Sequence, residues 1–217
     1  MNIEQARFNM VEQQIRPWEV LDARVLDLLF QLRREDFVPP QWRALAFADL
    51  EIPLGHGVSM LSPKMEARMV QELALTPTDR VLEIGTGSGY VAALLAFLAA
   101  EVLSVELIPE LASSAAARVA AATAGRQVRV VQGDGARDWP EGAPWDAILL
   151  SGSVPEVPES LLERLTPGGR LLVVVGDAPV MRAGLWTRRA QGFTHSILFE
   201  TVIPPLRNEH APARFSF

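Results

Sequence analysis

Apolar residues recur at Ile3, Ala6, Met10, Val11 and Ile15 among polar neighbours, a helical rather than alternating spacing that predicts a helix over 3–15, ended by Pro17. Asp22 is placed to cap a second helix through about residue 32, with Val25, Leu26, Leu28 and Leu29 turned to a core. Residues 33–40 read as loop, 42–50 as a short helix or irregular segment, and 52–63, with two prolines and two glycines, as loop. A third helix over 64–75 carries Met65, Met69, Val70 and Leu73 on one side. From residue 81 the pattern becomes strand–helix alternation, with strands at 81–84, 101–105, 128–131, 146–150 and 170–175 and helices at 90–99, 109–124 and 158–165. That predicts an α/β, doubly wound, mostly parallel sheet with helices on both faces. Pro167-Gly-Gly169 reads as a tight turn before the fifth strand. The last two segments, 180–189 and 194–203, are strands with no helix between them and predict an antiparallel edge.

No linker interrupts the pattern. The expected organisation is one domain over 1–217: an N-terminal helical extension and loop (1–75), a Rossmann-like core (76–203) and a Pro-rich tail (204–217). An apolar fraction of 49% and a charged fraction of 21% are ordinary for a globular chain. The net charge is −6 and no basic run exceeds a pair, which argues against a broad nucleic-acid footprint. With no cysteine, the chain has no disulfide, thiolate nucleophile or cysteine metal site, and no His/Asp/Glu cluster shows metal-ligand spacing. The first residues lack a signal-type apolar core and the longest apolar run, 90–100, is about half a membrane span, so a soluble, cytoplasmic protein is expected.

Candidate chemistry gathers where the first parallel strand ends. Val81-Leu-Glu-Ile-Gly-Thr-Gly-Ser-Gly-Tyr90 joins a buried-type strand to a helix through Gly85, Gly87 and Gly89. Such a loop lets backbone approach a ligand and aims helix N-terminal N–H groups at it. Glu83 lies within that strand, Glu106 ends the second strand roughly twenty residues on, where a ribose diol is commonly bound, and Asp134 follows the third between Gly133 and Gly135. Ligands of open α/β sheets sit beyond the carboxyl ends of the strands, so the three acids should share one crevice. The glycine spacing is not that of a dinucleotide fingerprint, and no P-loop lysine follows. A crevice rich in acids suits a cationic cofactor such as S-adenosylmethionine.

These residues, with Ser104-Val-Glu106 and Gly133-Asp-Gly135, resemble the protein-L-isoaspartate O-methyltransferase family. The resemblance extends to Arg34-Glu-Asp-Phe-Val-Pro39, Ala48-Asp-Leu-Glu-Ile-Pro-Leu-Gly-His-Gly57, Trp139-Pro, Ala143-Pro-Trp-Asp146, Leu165-Thr-Pro-Gly-Gly169 and Ile203-Pro-Pro-Leu206. It implies a Rossmann-like, S-adenosylmethionine-dependent enzyme that methylates the free carboxylate of isoaspartyl residues in damaged proteins. By the same resemblance Glu83, Gly85, Thr86, Gly87, Ser88 and Gly89 hold the methionine end, Glu106 and Leu107 the ribose, and Asp134 with Gly133 and Gly135 the adenine. The expected partner is a protein or peptide carboxylate.

One departure stands out. The family's substrate loop reads Gly-Gln-Thr-Ile-Ser-Gln-Pro, whereas here Gly57-Val-Ser-Met-Leu-Ser-Pro63 follows His56, which places Leu61 at the family's serine. Ser59 or Ser62 is then the candidate to supply the missing hydroxyl. Two alternatives stay open: the same fold acting on another acceptor, and a cofactor-binding interaction module without turnover.

Overall fold

The strand–helix alternation closes into a seven-stranded sheet in the computed structural model of the chain, which describes residues 2–136, 138, 139 and 141–208. The chain runs α1 (Ile3–Met10), α2 (Ala23–Gln31), β1 (Ile52–Gly55), β2 (Val58–Met60) and α3 (Pro63–Glu72) before entering the sheet. It continues as β3 (Arg80–Ile84), α4 (Tyr90–Leu98), β4 (Glu101–Glu106), α5 (Pro109–Ala122), β5 (Val128–Gln132), β6 (Trp145–Val154), α6 (Glu159–Glu163), β7 (Leu165–Asp177), β8 (Val180–Arg188) and β9 (Phe193–Thr201). The sheet order is β5-β4-β3-β6-β7-β8-β9; pairings from β5 to β7 are parallel, and β8 and β9 close the edge antiparallel. Progression runs outward from β3 to β5, then β6 returns to the other side of β3, so the direction reverses between β3 and β6. That reversal is where such sheets hold ligands.

Alternation along each central strand feeds two cores. Leu82 and Ile84 of β3, with Leu103, Val105, Ile148, Leu150, Leu171 and Val173, pack on one face against Leu161 and Leu162 of α6. Val81, Val102, Ala147, Leu149, Leu172 and Val174 face the other way, toward the N-terminal layer and α4. Helix α4 is apolar almost all round because the sheet and the N-terminal segments cover it together. Asp22 caps α2 as expected, its carboxylate accepting the Arg24 N–H at 2.9 Å.

Several boundaries differ from the sequence expectation. The stretch 52–63 is not plain loop: β1 and β2 form a small antiparallel hairpin with Ile52 opposite Met60 and a turn at positive-φ Gly55, His56 and Gly57. The helix expected over 3–15 is α-helical only to Met10, then loosens into a π-helical turn (Val11–Ile15) and a 3-10 turn (Arg16–Trp18). The short helix near 42–50 is a 3-10 segment, Pro40–Leu45. Pro167-Gly-Gly169 does not precede the fifth strand but lies within β7 as a bulge, where pairing jumps from Trp145↔Leu165 to Ala147↔Arg170. Of the tail, 204–208 runs back along the sheet; 209–217, including His210, Phe215 and Phe217, lie outside the described residues.

Candidate active site

At the carboxyl ends of β3, β4 and β6 the sheet opens into a cleft of about 670 Å³. Its floor is the turn from β3 to α4. Gly85 and Gly87 have φ of +94° and +53°, conformations that side chains rarely adopt, and both line the cleft. Their N–H groups are already used: Gly85 donates to the Val105 carbonyl and Gly87 to Glu106 Oε2, at 2.9 and 2.8 Å. Gly89 serves differently. At φ +88° it starts α4, and a Cβ there would lie 2.9 Å from Val119 Cγ2, so it allows α4 and α5 to close together rather than touching the cleft.

The three acids converge as expected but sit at different depths. Asp134 is at the exposed rim, accepting from Asn208 Nδ2 at 3.2 Å. Glu106 lines the wall, nearly buried, with its oxygens accepting the N–H groups of Gly87 and Ile108. Glu83 is wholly buried, because its place on β3 turns it toward the N-terminal layer on the face of Val81. Its cross-strand neighbour Ser104 donates to Oε2 at 2.5 Å, Ser151 donates to Oε1 at 2.9 Å, and Thr86 lies 2.6 Å from the Ser104 hydroxyl. Burial pushes the Glu83 carboxyl up to about 8, against the two hydroxyls that favour its charged form and with the help of nearby Glu106 and Glu66. Glu83, Thr86 and Ser88 line a small recess of about 30 Å³, bordered also by Ser59, Leu61, Gly85, Gly87 and Ser151 of the cleft wall.

The substrate-loop candidates separate in space. Ser59, in β2, and Leu61 line both the cleft and the recess. Ser62 lines neither; it is the residue before Pro63 at the start of α3, its side chain making no capping bond. His56 is exposed at the hairpin turn with φ +53°. Leu107, Gly133 and Gly135 line the cleft, and Gly135 leaves room for Ile84.

Three groups were not read from the sequence. Ser104 and Ser151 complete the Glu83 network, and only the strand register brings them beside it. The tail residues Leu206 and Arg207 roof the cleft: a Cβ on Gly85 would lie 2.9 Å from Leu206 Cδ2, and one on Gly57 would lie 3.0 Å from Arg207 Nη2. Arg34 and Glu66 form a buried ion pair at 3.0 Å beneath the loop, and Arg34 also donates to the carbonyls of Ala46 and Leu61 at 2.6 and 2.7 Å. Burial raises Glu66 to about 7 even with Arg34 beside it. Ser104, Arg34 and Leu206 each stand in a stretch that carries the family resemblance, but with no role attached there; a charged pair spaced as Arg34 and Glu66 looks in sequence like two solvated residues.

The reversed sheet order, the glycine turn and the acids at three strand ends define a Rossmann-like methyltransferase fold. The match to known proteins is narrower. The model of the protein-L-isoaspartate(D-aspartate) O-methyltransferase family matches residues 5–203. Protein-L-isoaspartate O-methyltransferase 1 of Anaeromyxobacter sp. (strain Fw109-5) is 47% identical over 167 residues, 76% of this chain and 79% of that protein. The protein-L-isoaspartate O-methyltransferase of Gloeobacter violaceus is 40% identical over 201 residues, 92% and 98% of the two chains. A Plasmodium falciparum structure assigned to the same enzymes and solved with S-adenosyl-L-homocysteine superposes with a TM-score of 0.81 over 96% of this chain and all of that one; at 18% identity it speaks for the fold. The chain belongs to the protein-L-isoaspartate O-methyltransferase family.

Proposed function

We propose that this protein transfers a methyl group from S-adenosylmethionine to the free α-carboxylate of isoaspartyl residues in proteins or peptides. The observation that carries the proposal is the cleft at the β3–β6 reversal, where the glycine turn, Glu83, Glu106 and Asp134 meet in a chain matched to the family over 5–203. The residues present fit that cofactor. Gly85 and Gly87 leave a cradle without Cβ atoms, and the buried Glu83 carboxyl, neutral in the free protein, would become a counter-charge once an ammonium group beside it favoured its ionised form. Glu106, fixed by two backbone N–H groups, keeps lone pairs for ribose hydroxyls, and Asp134 at the rim is assigned the adenine. Thr86, Ser88 and the Gly133–Gly135 backbone complete the cofactor set, while Gly89 holds the loop through packing.

When bound, S-adenosylmethionine supplies a methyl already activated by its positive sulfur. The protein's own work is then to place an acceptor and exclude water. A carboxylate acceptor, with an ordinary pKa near 4, is ionised at neutral pH and needs no general base. Ser59 is the hydroxyl positioned for it; Ser62, at the head of α3, is not. Ser59→Ala should therefore lower kcat/KM for an isoaspartyl peptide by about tenfold or more, and Ser62→Ala should leave it near wild type. Equal, unchanged rates in both would remove Ser59 from the mechanism. A second reading, a less polar acceptor, draws on Leu61 facing the cleft where the family has serine. Fragmentation of the methylated product decides between them: an ester on the isoaspartyl α-carboxylate is expected, and a wild-type protein that leaves such peptides unmodified while methylating another acceptor would establish the second.

A further inference from the structure

An isoaspartyl carboxylate approaching this cleft meets an unfavourable field. Glu106 and Asp134 line it, and Leu61 offers no side-chain donor. Among the described lining residues Arg207 is the one cation. It makes no ion pair or side-chain hydrogen bond among the described residues, unlike the buried Arg34 below the loop. Its backbone neighbours are fixed. The tail pairs with β6 through Ser153 N–H to Pro204 and Leu206 N–H to Ser153, at 3.0 and 2.9 Å, and Leu206 seats against Gly85 and Gly152. The guanidinium thereby rests against the hairpin turn at Gly57, two residues before Ser59, and all three line the cleft.

We infer that Arg207 is the substrate-carboxylate receptor of this chain, taking over at the cleft mouth the anchoring that Leu61 cannot provide. The inference rests on the isoaspartyl reading above and deepens it. A planar guanidinium matches a carboxylate in geometry as well as charge, and it is permanently protonated. Holding one carboxylate oxygen leaves the other with its lone pairs free to attack the methyl group. Arg207 also offsets the acidic lining for an anionic acceptor without altering the deeper cofactor cradle.

The test is steady-state methylation of an isoaspartyl peptide at saturating S-adenosylmethionine by wild type, Arg207→Gln and Arg207→Lys, with calorimetric binding of S-adenosyl-L-homocysteine to each. The expected result is a KM raised about tenfold or more in Arg207→Gln, kcat largely kept, partial recovery in Arg207→Lys, and an unchanged product affinity. Wild-type KM should also rise with salt, and the Arg207→Gln KM should do so less. Equal kcat/KM in wild type and Arg207→Gln overturns the inference while leaving the proposed function standing. Weakened S-adenosyl-L-homocysteine binding with an unchanged peptide KM overturns it by assigning Arg207 to the cofactor's own carboxylate. A wild type that does not methylate the isoaspartyl peptide overturns the proposed function, and the inference with it.

Discussion

Leu61 brings only its main chain to the polar chemistry of the loop, and Arg34 holds that main chain by its carbonyl. The side chain is left to shape the cleft, and the polar work passes to neighbours: Ser59 on β2, Glu106 on the wall, Glu83 beneath. Glu106 is the clearest single-residue test of the cofactor role. Because its oxygens hold the Gly87 and Ile108 N–H groups, Glu106→Gln keeps one acceptor and most of the shape but loses the charge. Calorimetry should show S-adenosylmethionine binding weakened by about tenfold or more; unchanged affinity would detach Glu106 from the ribose. Gly89 makes the opposite kind of prediction. Gly89→Ala places a Cβ against Val119 and Ala115 at φ +88°, so denaturant unfolding should show a loss of about 1–3 kcal/mol. Reading the acids and glycines in sequence was possible because strand–loop–helix order fixes where strand ends lie. The roles of Ser104, although it stands in the Ser104-Val-Glu106 stretch, and of Ser151 escaped because a strand serine shows no partner until register sets it beside a carboxylate.

The elements that build the substrate side were the hardest to foresee. Ile52, Leu54, Val58 and Met60 do alternate, but each arm of the β1–β2 hairpin is only three or four residues long, and Pro53 interrupts the first. Periodicity needs longer windows than that, whereas the parallel strands and α4 and α5 declared themselves through length and through Pro and Gly at helix ends. The bulge in β7 was hidden for a related reason, since Pro167-Gly-Gly169 carries turn chemistry whether it ends a strand or kinks one. Three N-terminal segments are tied together by Arg34, which reaches the Ala46 carbonyl, the Leu61 carbonyl and Glu66 of α3. Arg34→Ala would leave Glu66 buried without a partner. The expected cost, read from urea unfolding, is about 3–5 kcal/mol, and Glu66→Gln in the same background should recover part of it. A negligible change in the single variant would show that the segments hold together without this tie.

For the molecule as a whole, the buried Glu83 carboxyl sets a pH dependence. Glu83, raised by burial to about 8 with no cationic partner, keeps its proton in the folded chain across a range where the unfolded chain has released it. Folded stability therefore declines as pH rises from the ordinary carboxylate range through about 8. Below that range the sign reverses for Asp79: burial raises its pKa, but bonds from Thr76 and Arg170 outweigh it and bring it below its usual value, so its contribution is lost in acid. The cofactor-free protein should show its highest thermal midpoint near pH 5 and a falling one toward pH 8, with Glu83→Gln flattening the upper limb; a midpoint rising across that interval would contradict the burial of Glu83 in its neutral form. The sheet order, with its reversal between β3 and β6, brings the glycine turn, the acids, the hairpin and the tail to one cleft. Whether that cleft repairs isoaspartyl carboxylates is read most directly by transfer of labelled methyl from S-adenosylmethionine to an isoaspartyl peptide, beside the aspartyl peptide of the same sequence. Methylation of the isoaspartyl peptide and none above background on its aspartyl counterpart is the expected result; equal labelling of the two, or labelling of neither by a protein that binds the cofactor, would contradict it.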